Sequence, residues 1–228
     1  MKKHLVVHIL MFPPDQLSTA YLYGDLVKGF LDKGYRVTVL TTTPHYNFNT
    51  TFVSKSKNSF IWKRSNYFGA EVFHFPHTKS KSLIKRAINI TFFHLAFIIK
   101  SLFIKKPDIF LTPSPPLTSG LLSGLMSKLR GAKSVYNVQE IYPDILIKHL
   151  NIKNRLLLLC LKGLEKMTYK LNDKVVAIDE HFASKIQDRL AKTKLEVIPN
   201  FIDTDLYSPF KGSIRNEYTF EGKYLVGL

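Results

Sequence analysis

Seven short runs rich in β-branched and apolar residues recur along the chain: LVVHIL (5–10), RVTVLTT (36–42), AEVFHF (70–75), DIFLTP (108–113), SVYNVQ (134–139), KVVAI (174–178) and LEVIP (195–199). Most are nearly continuous in Val, Ile, Leu and Phe rather than alternating, which is what a strand buried on both faces requires. Segments with helical spacing separate most of them. Strand and helix in alternation imply right-handed crossovers, so the expected fold class is α/β: an open, doubly wound, mostly parallel, Rossmann-like sheet with helices on both faces. The stretch 17–33 shows the pattern well. Ser18 or Thr19 can cap a helix, Leu22, Tyr23, Leu26 and Phe30 line its inner side, and Gly34 ends it. Residues 42–65, rich in Asn, Thr, Ser and Lys, read as one long loop of the kind that carries function in compact domains.

With 228 residues and 45% of them hydrophobic, the chain has ample material for a buried core, which excludes a disordered protein. The formal charge of +16 favours a polyanionic partner: nucleic acid, an acidic membrane surface or a phosphorylated substrate. Cys160 is the only cysteine, so no intrachain disulfide forms, and its apolar surroundings predict burial on a helix. The N-terminal run HLVVHILMFPP is short, holds two histidines and ends at prolines without a small-residue cleavage site. It reads as a first strand rather than a signal peptide, and a reducing, cytoplasmic location is expected.

Ligands of open α/β sheets bind at the carboxyl ends of the strands, so the residues after each strand carry most weight. The first such loop, MFPPDQLSTA, has no glycine, which excludes both the dinucleotide turn and the P-loop. Ser18 and Thr19 instead place hydroxyls and backbone N–H groups at a helix N-terminus, suited to an anionic or sugar oxygen. The loop after the second strand offers His45 and Tyr46. TPSPPLTSG, with Ser114, follows the fourth run, and NVQEIYPD supplies Gln139, Glu140, Tyr142 and Asp144. Each is individually compatible with capping or solvation, but together they predict a polar rim.

The order of FPPDQLSTAYLYGDLVKGFLDKGYRVTVLTTTPHYN, DIFLTPSPPLTSG, VYNVQEIYPD, KLNDKVVAIDEHFASKI and EVIPNFIDTDLYSP resembles the N-terminal half of family 4 retaining glycosyltransferases of the GT-B fold, in the bacterial branch that builds lipid-linked surface polysaccharides such as capsule and lipopolysaccharide. The resemblance implies an acceptor-binding lobe at 1–204. It also implies an interlobe linker at 205–228, with KYLVGL as the first strand of a donor lobe that the chain lacks, so the chain alone is expected to be inactive. The family's donor-site pair of glutamates, with seven residues between them, has no counterpart here. A nucleotide-sugar donor held by that other lobe and a lipid-linked or glycan acceptor are the implied partners; no metal or other cofactor is expected. By position, Ser18 and Thr19 match the first-loop region, and Gln139 and Glu140 fall where other branches carry a histidine-aspartate pair. Glu140 is thereby the candidate catalytic base. His45, Tyr46, Ser114 and Asp144 are candidate acceptor contacts, and Asn200 matches the interlobe asparagine, with Phe201 in place of the glycine that often follows. Such an enzyme must neutralise the departing diphosphate and place the acceptor oxygen.

From Lys79 to Lys106 the chain carries six lysines and one arginine with no acid. The eleven Ile, Leu and Phe residues between Ala87 and Ile104 favour membrane insertion by roughly 5 kcal/mol, which Lys100, Asn89 and His94 nearly cancel. A surface helix is therefore expected rather than a span. On a helical wheel Ile84, Ile88, Phe92, Leu95, Ile99 and Leu102 form a stripe suited to cover the sheet. Phe93, Phe97, Ile90 and Ile104, interleaved with Arg86 and Lys100, form a second face. That face is predicted either to pack on another helix or to dock on an anionic membrane, which would place the protein on the inner face of the cytoplasmic membrane. The leucines of 148–170 are expected in the core. Two alternatives to an enzyme lobe remain: a nucleic-acid-binding module, which lacks any helix-turn-helix, zinc spacing or RNP-type strand, so no nucleic acid is expected; and a truncated product without activity.

Overall fold

The computed structural model describes residues 2–45, 57–58, 62–151, 153–190, 194–202 and 204. In chain order they form β1 (His4–His8), α1 (Ser18–Asp32), β2 (Arg36–Thr42), β3 (Lys57–Asn58), β4 (Lys63–Tyr67), β5 (Ala70–Phe75), α2 (Leu83–Phe103), β6 (Ile109–Pro113), α3 (Leu117–Arg130), β7 (Lys133–Val138), α4 (Asp144–Leu150), α5 (Arg155–Leu171), β8 (Lys174–Ala177), α6 (Glu180–Ile186) and β9 (Lys194–Val197). These strands make one sheet in the order β3-β4-β5-β2-β1-β6-β7-β8-β9. Each of the seven expected runs is a strand, and all seven are parallel to their neighbours in that set. All five residues of β1 are buried, as expected of a central strand covered on both faces.

The stretch 42–65 is not wholly a loop. Lys57–Asn58 and Lys63–Tyr67 form an antiparallel arm on the outer edge of β5. The sequence KRSNY has no apolar run to announce a strand, because an edge arm is exposed on alternate residues and takes its order from pairing. The remainder of that stretch, and the linker assigned to 205–228, lie outside the described residues.

One face of the sheet packs against α1. There Leu5, Val7, Val37, Val39 and Val72 meet Tyr23 and Val27, with Leu22, Leu26 and Phe30 partly buried beside them. Leu17, extended, is the N-cap of α1 and supplies no side-chain bond, so Ser18 and Thr19 are first-turn residues and not caps. Gly34 ends the helix region with φ of +81°, a conformation that favours glycine.

The opposite face is covered by α2, α3 and α5. Two helix orientations reverse the expectation. In α2 the residues turned to the sheet are Phe93, Ala96 and Phe97, with Ile104 just past its C-terminus, whereas Ile84, Ile88, Phe92, Leu95, Ile99 and Leu102 are exposed. Both sides of this helix are apolar, so periodicity alone cannot choose between them. Shape decides: the Phe97 ring stacks on buried His8 at 3.5 Å and meets Phe110 edge-on, filling a space that branched aliphatics would not. Lys100 lies over the Phe73 ring at 3.8 Å and the Trp62 ring at 4.7 Å, on the inner flank. Phe93, Phe97 and Lys100 are therefore packing residues and do not form a docking face.

In α5 the inward side carries Glu165, Thr168 and Tyr169. Leu156, Leu157, Leu159 and Cys160 are consequently exposed, against the expected burial. The four leucines stand in immediate succession and give no helical phase.

Candidate functional site at the carboxyl edge of the sheet

Strand order changes direction between β1 and β6: the chain first builds outward through β2 and β5, then returns to build β6 to β9 on the other side. A crevice opens at the carboxyl ends next to such a switch. The first turn of α1, the loop after β7 and the segment after β9 meet here around a cleft of about 560 Å³. Its polar lining includes Ser18, Thr19, Gln139 and Asn200, residues up to 182 positions apart in sequence that the sheet brings together. Because Leu17 caps α1 without a side-chain bond, the hydroxyls of Ser18 and Thr19 are not spent on capping. Asp25 and Lys28, an ion pair at 2.9 Å, extend the lining along α1. Sequence reasoning missed these two, although Ser18, Tyr21, Asp25 and Lys28 recur at the three- and four-residue spacing of one helix face.

The loop after β7 is fixed from two sides. Gln139 Nε2 donates to Asn200 Oδ1 and Asn200 Nδ2 donates to Gln139 Oε1, each at 2.9 Å, which locks the β7 loop to the segment after β9. Beneath it, fully buried Ser114 donates to the Glu140 carbonyl at 2.8 Å and accepts from the Glu140 N–H at 2.9 Å. Ser114 thus positions the backbone of Glu140 from below and presents no surface to a ligand. Glu140 itself is half-buried, and its side chain has no hydrogen-bond partner among the described residues. Its charge is felt by Tyr142, whose hydroxyl is held above its ordinary pKa by burial and then by Glu140, with Arg86 of α2 opposing. The exposed start of α2 therefore stands beside the same rim.

His45 belongs to an adjoining group at the end of β2. Its backbone N–H donates to Asp15 Oδ1 at 2.9 Å, and its ring lies 4.1 Å from that of His77. Burial and then the nearby His45 push His77 down to about 4, so this pair is uncharged at neutral pH on the His77 side. Tyr46 lies outside the described residues. Asp144 is drawn elsewhere: Arg189 donates to it at 2.7 Å and to nearly buried Glu165 at 2.9 Å, lining a separate hollow with Lys162 and Lys166. The structure thus gathers Ser18, Thr19, Gln139 and Asn200, sets Ser114 and Glu140 directly behind them, and places Asp144 in an ion-pair network apart.

An apolar groove of about 280 Å³ continues from the cleft between α1 and the sheet, lined by Leu26, Phe30, Leu111, Val135 and Phe201. The site as a whole offers hydroxyl and amide groups beside an apolar floor, a set suited to a polyhydroxylated ligand and lacking a glycine-rich phosphate cradle.

Solved structures share this architecture. Sucrose-phosphate synthase from Thermosynechococcus elongatus superposes with a TM-score of 0.64 at 12% identity, over 96% of this chain and 53% of that one. Anabaena Alr3699/HepE in complex with UDP gives 0.55 at 12% identity, over 97% and 50%. Arabidopsis thaliana UGT89C1 complexed with UDP gives 0.53 at 15% identity, over 90% and 51%. The chain therefore spans about half the length of the structures it resembles, and its fold is that of the N-terminal lobe of a GT-B glycosyltransferase. No curated protein matches the chain. The model of the family described as Glycosyltransferase Family 4 matches residues 21–206, most of the chain's length, and the chain belongs to Glycosyltransferase Family 4.

Proposed function

We propose that this chain is the acceptor-binding lobe of a retaining glycosyltransferase that moves a sugar from a nucleotide-sugar to a lipid-linked glycan in the synthesis of cell-surface polysaccharide, at the inner face of the cytoplasmic membrane. The carrying observation is the cleft itself: Ser18, Thr19, Gln139 and Asn200 converge at the carboxyl edge of a sheet whose first loop lacks both the glycine-rich dinucleotide turn and the P-loop. Such a rim fits sugar hydroxyls, and it leaves the diphosphate to a second lobe. UDP in the complexes of Alr3699/HepE and UGT89C1 supports a nucleotide-sugar as donor.

On this reading Glu140, braced by Ser114, orients the acceptor hydroxyl and accepts its proton as the new glycosidic bond forms, while the nucleoside diphosphate departs with the electrons of the broken bond. The reading is supported by the Gln139–Asn200 pair, which holds still the loop that carries Glu140 next to the cleft.

The test is transfer of labelled sugar from a panel of nucleotide-sugars to a lipid extract and to a soluble glycan acceptor, using the protein expressed from its full reading frame. Glu140→Gln is expected to lower kcat about tenfold with little change in KM, a modest loss because the leaving phosphate can also take the proton. Product NMR is expected to show the donor's anomeric configuration kept. Inversion, or no transfer from any donor by folded protein that includes the donor-binding lobe, would contradict the proposal.

A further inference from the structure

The residues that leave the sheet-covering layer uncovered form a pattern of their own. Along α2, Ile84, Ile88, Phe92, Leu95, Ile99 and Leu102 are all between 40% and 74% exposed, and they recur at intervals of three and four residues on one face. The helix is long and apolar enough to cross a membrane, with a mean hydropathy of 1.3 over Ile84–Phe103 and only 22% of that window buried. Yet Phe93 and Phe97 on its other side are wholly buried against the sheet, so the helix is anchored flat on the domain with an apolar stripe outward. Neighbouring α3, tied to α2 by Arg130 donating to the carbonyls of Leu102 and Ile104, adds exposed Leu125 and Leu129. Beyond α3, with which it packs closely, α5 adds Leu156 and Leu159.

Along α2 the charges around this stripe have one sign. No Asp or Glu occurs between Lys79 and Lys106; Lys81, Lys85 and Arg86 flank the start of α2 and Lys105 and Lys106 follow its end, all exposed. On α5 Arg155 and Lys170 are exposed, whereas Lys162 and Lys166 border the hollow that Asp144, Glu165 and Asp188 also line. A second copy of this face would bring like charges together, and a nucleic acid would leave the isoleucines and leucines in water. An anionic bilayer satisfies both components, since acyl chains receive the aliphatic side chains while lipid phosphates meet the lysines.

We infer that the outward stripe of α2, extended by α3 and α5, is the surface by which this protein lies on an anionic lipid bilayer, with Ile84, Ile88, Phe92 and Leu95 inserted and Lys81 and Lys85 on the headgroups. The topology gives the docking a consequence. Because α2 follows β5, its first two turns stand at the carboxyl edge of the sheet, where the candidate cleft opens. A protein seated this way holds that cleft beside the headgroup layer, where a lipid-linked acceptor presents its glycan. The inference rests on the membrane part of the proposed function and not on the cleft chemistry.

Flotation of the full chain with vesicles tests it. Binding is expected to vesicles of mixed phosphatidylcholine and phosphatidylglycerol, to weaken with salt, and to be near background on phosphatidylcholine alone. The double variant Ile88→Asn with Leu95→Asn is expected to lower the vesicle partition coefficient about a hundredfold while circular dichroism stays native, as both side chains are exposed in the free protein. Lys81→Glu with Lys85→Glu is expected to abolish the preference for phosphatidylglycerol. Phe68→Ser, an exposed aromatic in the turn between β4 and β5, serves as control and is expected to float like the parent. Failure of the parent to float, flotation unaffected by the Asn pair, or a concentration-dependent dimer in lipid-free buffer that the Asn pair abolishes would each overturn the inference. Vesicle binding lost while transfer to a soluble acceptor persists would sink this inference alone. Transfer absent while vesicle binding persists would sink the cleft reading alone.

Discussion

Gly120→Val is expected to destabilise the domain by more than about 3 kcal/mol, measured as a lower urea midpoint at unchanged slope. Gly120 lies on the buried side of α3, in a row of small residues with Ser119, Ser123, Gly124 and Ser127 that lets the helix approach β7 and α5 closely. A Cβ there would run into the ring of Tyr136 and come within 2.9 Å of Thr168 Cγ2. Tyr136 is almost wholly buried and cannot swing aside, and the Gly120 carbonyl also accepts from Asn172 Nδ2 at 3.0 Å, so a shift of the helix would strain that bond as well. Gly163, on the outer side of α5, has nothing within 4 Å of the same added atom. Gly163→Ala is expected to raise stability by about 0.5–1 kcal/mol through helix propensity alone. Equal midpoints for Gly120→Val and the parent would show that α3 is not packed as described.

The second large effect is with acid. His8 is wholly buried between Phe97 and Ser123, and burial holds its imidazole well below the ordinary range. His94, whose Nε2 lies 2.8 Å from Thr118 Oγ1, is pushed down to about 4 by burial. The unfolded chain takes up these protons near pH 6.5 and the folded chain does not. The unfolded state therefore binds more protons, and stability must fall as pH drops below about 6.5. For His94 the loss accumulates between pH 6.5 and 4 and reaches about 3 kcal/mol, the equivalent of its shift. Chemical denaturation at a series of pH values is expected to show the decline, and His94→Gln to flatten it by roughly that amount. A stability constant or rising between pH 6.5 and 5 would contradict the burial of these rings.

What the sequence revealed and what it hid have separate physical causes. The seven parallel strands were legible because a strand buried on both faces needs a run of Val, Ile, Leu or Phe, and such runs stand out, as in β1 and β2. The arm at Lys63–Tyr67 was hidden because edge pairing demands no such run. The inner side of α2 was misread because both of its faces are apolar: the branched stripe looked like core by periodicity, while the space to be filled under the sheet called for Phe93 and Phe97. The leucines of α5 were misread for a related reason, since consecutive residues point in every direction around a helix. In the cleft, Ser18, Thr19 and Gln139 were placed by the rule that loops at the carboxyl edge converge, and Asn200 by the resemblance of EVIPNFIDTDLYSP. Asp144 departed from it because nothing local announces Arg189, 45 positions onward, as its partner. Ser114 was located near the site, but that its hydroxyl faces the Glu140 backbone could be known only from the folded chain.

The central claim is that this lobe receives a sugar acceptor at the carboxyl edge of its sheet and does not itself hold the nucleotide. The most direct measurement is NMR mapping of the isotopically labelled chain titrated separately with a glycan acceptor and with UDP-sugars. The account predicts that the glycan perturbs Ser18, Thr19, Gln139 and Asn200 in a saturable way and that the UDP-sugars leave them unmoved. Saturable UDP-sugar binding at those residues, or glycan perturbations confined to other surfaces, would contradict it.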